Sequence, residues 1–289
     1  MEGLIDYAGL FPPAGLGIDA AVSNYAKHAA SCDNWALGRF VLPVSRLDEF
    51  ERACSHLRSK PPWRLSALVR AAADDDVARV VDFNRRRGDG SRSVGPVVSS
   101  IEMPVSTTAE IERADVMVPR DLSLFFEIPL SDGTEPLVEA ISGVGRAAKI
   151  RTGGITPELF PPPAALAAFL VTSADNGVPF KATAGLHHPV RSTQPLTYEP
   201  GASRATMNGF LNLLLAAALV WAGRADSATA TSVLEEDSPG AFTFGEEGAG
   251  WRDLRLPFEQ LGLVRLFVRS IGSCSFEEPL DDLRALGFL

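Results

Sequence analysis

The chain alternates short β-rich runs with longer helical runs, and this alternation constrains its fold more than any other feature. Seven strand-then-helix units follow one another at a spacing of roughly 25 to 35 residues. Strands that alternate with helices predict a parallel sheet, because each strand is reached through a helical crossover. Seven clear units and a weaker eighth in a chain of 289 residues predict a (β/α)8 TIM barrel, which takes about 250 residues. An open doubly wound sheet is the alternative fold.

The boundaries of the units follow from hydrophobic periodicity and turn residues. The predicted strands cover residues 4–7, 39–42, 64–69, 97–103, 122–128, 147–151 and 179–183. The predicted helices cover residues 18–30, a segment ending at 57, 74–87, 108–113, 135–144, 163–176 and 206–222. Residues 241–244 are the preferred eighth strand with 257–270 as the closing helix, and 266–271 is the alternative strand. No Pro/Ser-rich linker divides the chain, so one barrel domain over residues 1–289 is expected.

Charge and apolar patterning exclude several classes of function. A formal net charge of −9 argues against nucleic acid and against an anionic membrane surface as partners. The longest apolar stretch, 210–222, is too short to span a bilayer and contains Asn212. The acidic first residues lack a long apolar run, so no signal peptide is expected. An odd number of widely spaced cysteines, Cys32, Cys54 and Cys274, favours a reduced, cytoplasmic protein.

Lysine is rare, supplying only four of the 27 basic residues. Lys27 lies on a predicted helix and Lys60 in a Lys-Pro-Pro turn, whereas Lys149 and Lys181 lie inside predicted strands. A lysine amine can lose its proton when it is desolvated and act as a nucleophile, which a guanidinium cannot do. The two strand lysines are therefore the strongest indication of chemistry in the sequence.

Charged side chains are predicted on the inward faces of four consecutive strands. Because side chains alternate across a strand, the inward set is Glu102, Glu127, Lys149 with Arg151, and Lys181 with Thr183. Asp6, near the end of the first strand, is placed with them. These positions lie near the C-terminal strand ends, where barrel active sites are built. A structural ion-pair network is the alternative, although desolvation of each ion costs several kcal/mol. Two desolvated cations lower each other's pKa, which predicts a partly neutral, nucleophilic amine.

Two consecutive strands carry a paired motif. Lys149-Ile-Arg-Thr-Gly-Gly154 followed by Phe180-Lys-Ala-Thr-Ala-Gly185 resembles the paired signature of class I aldolases of the deoxyribose-phosphate aldolase type. The resemblance covers these two strands and the barrel periodicity. It implies that Lys149 forms a Schiff base with a small carbonyl substrate and that Lys181 perturbs it. It also implies that Glu127 or Glu102 moves protons, with Asp6 behind them. No cofactor and no metal are expected.

The sequence departs from that family at the substrate end. Arg151 stands where the family has a small hydroxyl residue, and it could hold a substrate carboxylate bidentately. The other predicted substrate contacts are Thr152, Gly153, Thr183, His187 and His188. For the two histidines, which precede Pro189, a structural turn is the alternative. Gly272-Ser-Cys-Ser275 is similar to the family's anion loop only if 266–271 is the eighth strand.

Two other functions remain open from the sequence. One is a metal-dependent barrel hydrolase or isomerase using Glu102, Glu127, Asp6 and a histidine, although two facing lysines compete with a metal. The other is a non-catalytic barrel that binds an anionic metabolite or a protein partner. A G-x-G-x-x-A match at 143–148 ends a helix and enters a strand, so it does not predict a nucleotide site. Whether the chain forms a homo-oligomer is left open.

Overall fold

The strands and helices alternate along the chain as the sequence predicts. The computed structural model describes residues 2–55, 62–71, 73–86, 95–131 and 133–289. The strands are β1 (Ile5–Tyr7), β2 (Leu37–Pro43), β3 (Arg64–Leu68), β4 (Val97–Pro104), β5 (Ser123–Glu127), β6 (Ala147–Arg151), β7 (Phe180–Thr183), β8 (Ser192–Pro195), β9 (Arg204–Met207), β10 (Phe242–Gly245), β11 (Gly248–Trp251), β12 (Leu254–Pro257) and β13 (Val268–Ser273). The predicted positions Leu57, Lys60 and Arg87 lie outside the described residues.

The helices follow the barrel strands and cover them. They are α1 (Ile18–Ala30), α2 (Leu47–Ala53), α3 (Asp74–Arg86), α4 (Thr108–Met117), α5 (Thr134–Val144), α6 (Pro163–Asp175), α7 (Phe210–Trp221), α8 (Ser227–Glu235), α9 (Phe258–Phe267) and α10 (Glu277–Ala285). Short 3-10 turns lie at Asn34–Ala36, Val44–Arg46, Pro157–Leu159 and Pro239–Ala241. The outward residues of the strands, such as Phe40, Phe126 and Phe180, are fully buried beneath this layer of helices, as expected for a parallel sheet covered on its outer face.

Eight parallel strands of the described chain close into a barrel in the order β1, β13, β7, β6, β5, β4, β3, β2. The predicted (β/α)8 TIM barrel is therefore confirmed, and the open doubly wound sheet is wrong. Lys149 on β6 is the register partner of both Glu127 on β5 and Lys181 on β7. Closure of the sheet thus brings the charged inward positions of neighbouring strands to one level of the barrel.

The preferred assignment of the eighth strand is wrong, and the alternative is right. Residues of β10 pair antiparallel with β11 in a separate three-stranded sheet, outside the barrel. Three of the four β10 residues are exposed, whereas five of the six β13 residues are buried. A barrel strand needs burial on both faces, which only β13 has. The predicted closing helix 257–270 is accordingly α9, which ends before β13, and α10 follows that strand.

The long apolar helix begins later than predicted. Residues 204–207 form β9, which pairs with β8 as a hairpin, and α7 starts at Phe210. Asn212 fits this apolar helix because its amide donates hydrogen bonds to the carbonyls of Val233 and Glu236, both at 2.8 Å. Within the described ranges, every helix is too short or too polar to cross a membrane.

Candidate functional site

Glu102 lies at the centre of a buried ion network inside the barrel. Its Oε1 is 2.7 Å from Nζ of Lys181, and its Oε2 is 2.7 Å from Nζ of Lys149. Lys149 also faces Glu127 Oε2 at 2.6 Å, and Lys181 faces Asp6 Oδ2 at 2.7 Å. The structure therefore brings together all five residues that the sequence predicted as catalytic. They form a chain of alternating charge in which each lysine lies between two carboxylates.

Serine hydroxyls from neighbouring strands complete the network below the lysines. Ser66 donates to Glu102 Oε1 at 2.6 Å, and Ser100 donates to Ser66 at 2.8 Å. Ser270 donates to Asp6 Oδ2 at 2.7 Å. These three hydroxyls are fully buried, and each is small enough to leave room for the longer charged side chains. They hold the carboxylates in place, so the charged groups have little freedom to reorient.

Lys149 meets Glu102 less favourably than Lys181 does. Lys181 donates hydrogen bonds to Glu102 Oε1 and Asp6 Oδ2. The contact of Lys149 with Glu102 Oε2 is short, but its angle leaves that buried oxygen without a hydrogen bond of ordinary geometry. Lys149 is therefore held to Glu102 mainly by charge at short range, whereas Lys181 is held to it by charge and by a well-angled hydrogen bond.

The expected depression of the lysine pKa is wrong for Lys149. Burial favours the neutral amine, but the carboxylates of Glu102 and Glu127 outweigh it and raise the pKa of Lys149. For Glu102, burial favours the neutral acid, but Lys149 and Lys181 outweigh it and lower its pKa. The physical reason is that a carboxylate lies between the two lysines, so each ammonium has an anion as its nearest neighbour. In the resting site Lys149 is protonated.

A cavity of about 400 Å³ opens above this network at the C-terminal end of the barrel. Lys149 and Glu102 line it, and so does Arg151 at the end of β6. Lys181 and Asp6 lie deeper, are fully buried and do not reach the cavity wall. Thr183 lines the cavity from the end of β7. The accessible lysine is thus Lys149, and Lys181 belongs to the layer beneath it.

Two of the predicted substrate contacts have packing roles instead. Thr152 is buried, and its hydroxyl donates to the carbonyl of Ala184 at 2.6 Å. Gly153 lies so close to Gly185 and the Phe160 ring that a Cβ there would be 2.9 Å from the Gly185 Cα. Thr152 and Gly153 therefore bind the loop after β6 to the loop after β7. The neighbouring Gly154, not Gly153, lines the cavity.

The loop after β7 holds an unusual backbone conformation beside the cavity. Ala184 has φ 69° and Gly185 has φ 72°, and both line the cavity. A non-glycine residue in this region costs of order 1 kcal/mol and persists where the surroundings hold it. The hydrogen bond from Thr152 to the Ala184 carbonyl does so here. This turn directs the chain toward His187 and His188.

Both predicted histidines line the cavity and contact acidic residues of α10. Nδ1 of His187 is 3.2 Å from Glu278, and Nδ1 of His188 is 2.6 Å from Asp282. Burial lowers the pKa of His187, but contacts with Cys274 and Glu278 outweigh it and raise the pKa to about 9. His187 is a cation at neutral pH.

Three polar residues beside His187 were missed by the sequence analysis. Cys274 Sγ is 4.0 Å from His187 Nδ1, and the Tyr198 hydroxyl is 3.7 Å from that sulfur. Tyr198 donates to Glu278 at 3.1 Å. The one available signal was the Gly272–Ser275 motif, which places Cys274 at the end of the alternative eighth strand.

A protein metal site needs several ligating side chains that converge on one point. Among the described residues, no group of three or more His, Cys, Asp or Glu side chains has an arrangement that could hold a metal ion. The carboxylates of Asp6, Glu102 and Glu127 each face a lysine ammonium. A cation in the same place would meet the repulsion of these two ammonium groups.

Comparison with protein families and with curated proteins gives no assignment for this chain. The chain matches no protein-family model, and no curated protein matches it. A TIM barrel supports many unrelated chemistries, so its function has to be argued from the residues of the site.

Proposed function

We propose that this protein is a Schiff-base lyase of the class I aldolase kind, with Lys149 as the nucleophile and a small carbonyl compound as substrate. One observation carries the proposal. Lys149 lines the C-terminal cavity, and its Nζ lies between two carboxylates, at 2.7 Å from Glu102 and 2.6 Å from Glu127. A nucleophile needs access to the substrate and a base beside it, and Lys149 has both.

Lys181 fits a positioning role better than a nucleophilic one. It is fully buried, it does not line the cavity, and both of its carboxylate contacts are hydrogen bonds. Its charge keeps Glu102 ionised, which keeps a permanent anion next to Lys149.

The neutral amine arises in this proposal by proton transfer to Glu127. Glu102 faces two lysines and accepts a hydrogen bond from a serine. Among the described residues, the Glu127 carboxylate forms an ion pair with Lys149 alone, and its side chain is 25% exposed. When a substrate displaces water from the cavity, the local dielectric falls and the neutral acid–amine pair gains stability relative to the ion pair. Glu127 is therefore the base of the first step.

The reaction then follows from the positions of these groups. The Lys149 lone pair attacks the carbonyl carbon, and the carbonyl oxygen takes the proton held by Glu127. The nitrogen then gives one of its two protons to the Glu127 carboxylate, which passes it to the new hydroxyl, and this leaves as water. This leaves a C=N⁺ iminium on Lys149. Glu127, again a carboxylate, then takes the proton of a β-hydroxyl, and the Cα–Cβ bond breaks. The β-carbon leaves as an aldehyde or ketone, and the electron pair of the broken bond moves toward the iminium nitrogen to form an enamine. Protonation and hydrolysis of the enamine regenerate the lysine.

Electrostatics of the site match the iminium. The iminium nitrogen carries the same single positive charge as the resting Lys149 ammonium. Glu102, which lies beside that nitrogen, therefore stabilises both. Preorganised charges that need no reorientation are among the largest contributions to enzyme catalysis. Glu102 thereby acts as a charge stabiliser and Glu127 as the proton carrier.

The substrate of this proposal carries an anionic group. Arg151 and the cationic His187 line the same cavity as Lys149. A guanidinium binds a carboxylate or phosphate bidentately, and a cavity of about 400 Å³ suits a small molecule. Small 2-oxo acids and anionic aldehydes therefore head the set of candidates.

Reductive trapping tests the proposal. The protein is incubated with a panel of small aldehydes, ketones and 2-oxo acids, reduced with borohydride, and analysed by intact mass and peptide mapping. We expect one adduct per chain, located on Lys149, with at least one carbonyl of the panel. Lys149→Arg retains the charge but cannot form an imine, so its adduct is lost.

Lys27→Arg is the matched control, because Lys27 is exposed on α1 and does not line the C-terminal cavity. Its adduct should equal that of the unmodified protein. If no carbonyl gives a Lys149-dependent adduct while Lys149→Arg remains folded, the Schiff-base function is wrong. The remaining hypotheses would then be a non-catalytic anion-binding barrel and a metal-dependent enzyme.

A further inference from the structure

The N-terminal end of the barrel, opposite the candidate active site, holds a second and larger cavity. Its volume is about 1510 Å³. Six arginines line it: Arg39, Arg64, Arg120, Arg146, Arg265 and Arg269. Such a concentration of positive charge is unexpected in a chain whose net charge is −9.

Two of the six arginines have structural partners. Arg146 is buried, and its Nε donates to Asp115 at 2.6 Å while its other nitrogens reach backbone carbonyls. Arg120 donates to the same Asp115 at 2.6 Å and to the carbonyl of Val144. These contacts tie together the ends of α4 and α5 and account for both residues.

The other four arginines lie along one arc of the cavity wall. Arg64, Arg39 and Arg269 come from β3, β2 and β13, which with β1 are consecutive around the barrel. Arg265, near the end of α9, donates to the carbonyls of Val268 and Arg269 at 2.6 and 2.9 Å. Backbone acceptors therefore hold its guanidinium in place without neutralising its charge.

Among the described lining residues, two are acidic, Glu2 and Asp121, against six arginines, and neither forms an ion pair with these four guanidiniums. Arg39 approaches Asp6 only to 4.0 Å, and Asp6 already pairs with Lys181. Arg64 and Arg269 have no ion pair within the described ranges. Burial, followed by the charge of Arg39, lowers the pKa of Arg269. Like charges are thus held together at a cost that an anion between them would offset.

We propose that this cavity, lined by Arg39, Arg64, Arg265 and Arg269, is a binding site for a small polyanion with two or more phosphate or carboxylate groups. Guanidiniums present fixed forks that fit such groups bidentately. Four guanidiniums on one concave wall provide more hydrogen-bond donors and charge than a single carboxylate can use. The site is separate from the Schiff-base site, and its existence does not depend on the proposed function.

Isothermal titration with inorganic pyrophosphate tests the proposal. We expect saturable binding, and we expect Arg64→Gln/Arg269→Gln to weaken it by at least about tenfold. Arg64→Lys/Arg269→Lys keeps the charge but loses the fork geometry, so its affinity should be intermediate. Sodium chloride at equal ionic strength corrects for general screening.

Arg85→Gln, exposed on α3 and outside both cavities, is the matched control. It should bind pyrophosphate as the unmodified protein does. The proposal is overturned if the protein binds no pyrophosphate, or if Arg85→Gln weakens binding as much as the double variant. Binding that Arg151→Gln abolishes and the double variant leaves intact lies in the C-terminal cavity and also overturns it. Binding of poly-glutamate but not pyrophosphate would also overturn it, because it would indicate an acidic protein partner.

Discussion

Lys149 and Lys181 are register partners on adjacent strands, yet a carboxylate separates their ammonium groups. Glu102 reaches between them from β4 and contacts each at 2.7 Å. Two lysines that would otherwise repel each other are thereby joined through one shared anion. The arrangement explains why both lysines can be buried and charged, and it makes Glu102 the residue on which the network depends.

Glu102→Gln should destabilise the protein strongly. The substitution keeps the shape of the side chain but leaves Lys149 and Lys181 without their shared counter-charge in a buried site. Removing one partner of a buried ion pair costs about 3–5 kcal/mol. Urea unfolding at neutral pH measures the loss in the free energy of unfolding.

Glu127→Gln is the matched control for that prediction. Among the described residues, the Glu127 carboxylate forms an ion pair with Lys149 alone, and its side chain is 25% exposed. In the variant, Lys149 therefore keeps Glu102 as its counter-charge, and water can solvate the new amide. The effect of this variant on stability should be clearly smaller, about 1 kcal/mol. Equal losses for the two variants would contradict the central position of Glu102. In borohydride trapping, Glu127→Gln should slow adduct formation, because it removes the base that takes the Lys149 proton.

Arg151→Gln should weaken the binding of anionic carbonyl compounds. Arg151 lines the cavity above Lys149 and is exposed to it, so a carboxylate on the substrate would lose a charge-assisted contact of about 1.5–3 kcal/mol. We expect the half-saturating concentration for borohydride trapping to rise about tenfold or more with glyoxylate or pyruvate. With acetaldehyde, which has no anionic group, it should not change. An equal effect on all three compounds would contradict a contact between Arg151 and a substrate carboxylate.

Most of the barrel could be predicted from the sequence, because the patterns that indicate strands and helices are local. Alternation with a period of two assigned the inward faces of β4 to β7, and the spacing of the units gave the order of strands. The eighth strand was harder, since residues 241–244 do form a strand. Nothing in that short alternating run indicates whether its partners are parallel barrel strands or an antiparallel hairpin, because the partners are distant in sequence.

The electrostatics of the site could not be read from the same pattern. Strand faces predicted that Lys149 and Lys181 would be neighbours, but not that the carboxylate of Glu102 would lie between them. The sign of the pKa shift of Lys149 depends on that order of atoms. Tyr198 and Glu278 were missed for a related reason. They reach the cavity from the β8–β9 hairpin and from α10, and only the folded chain brings these segments together.

His187 should make the stability of the protein depend on pH. Its pKa is raised from 6.5 to about 9 in the folded chain, so the folded protein binds this proton more tightly than the unfolded chain. The stabilisation is complete below pH 6.5 and is lost as the pH rises through about 9. We expect the free energy of unfolding to fall by on the order of 1–3 kcal/mol across this window.

Comparison with His187→Gln isolates that contribution. Other groups titrate in the same range, but their effects are shared by both proteins and cancel in the difference between the two pH profiles. The variant should lack the decline, and Glu278→Gln should reduce it because the raised pKa depends partly on that carboxylate. Imidazole resonances followed by NMR report the titration directly. Parallel profiles for the unmodified protein and His187→Gln would show that the His187 proton is not linked to folding.

Gly153→Ala should disrupt the contact between the two lysine-bearing strand ends. A Cβ at this position would be 2.5 Å from the Phe160 ring and 2.9 Å from the Gly185 Cα, a backbone atom that cannot easily move. Overpacking of this kind costs about 1–3 kcal/mol. Gly154→Ala is the control, because its new Cβ would meet mainly the Leu159 side chain, which is 48% exposed and can change rotamer. Urea unfolding should therefore show a clear loss for Gly153→Ala and a small one for Gly154→Ala. The opposite order would mean that the loops after β6 and β7 are held together elsewhere.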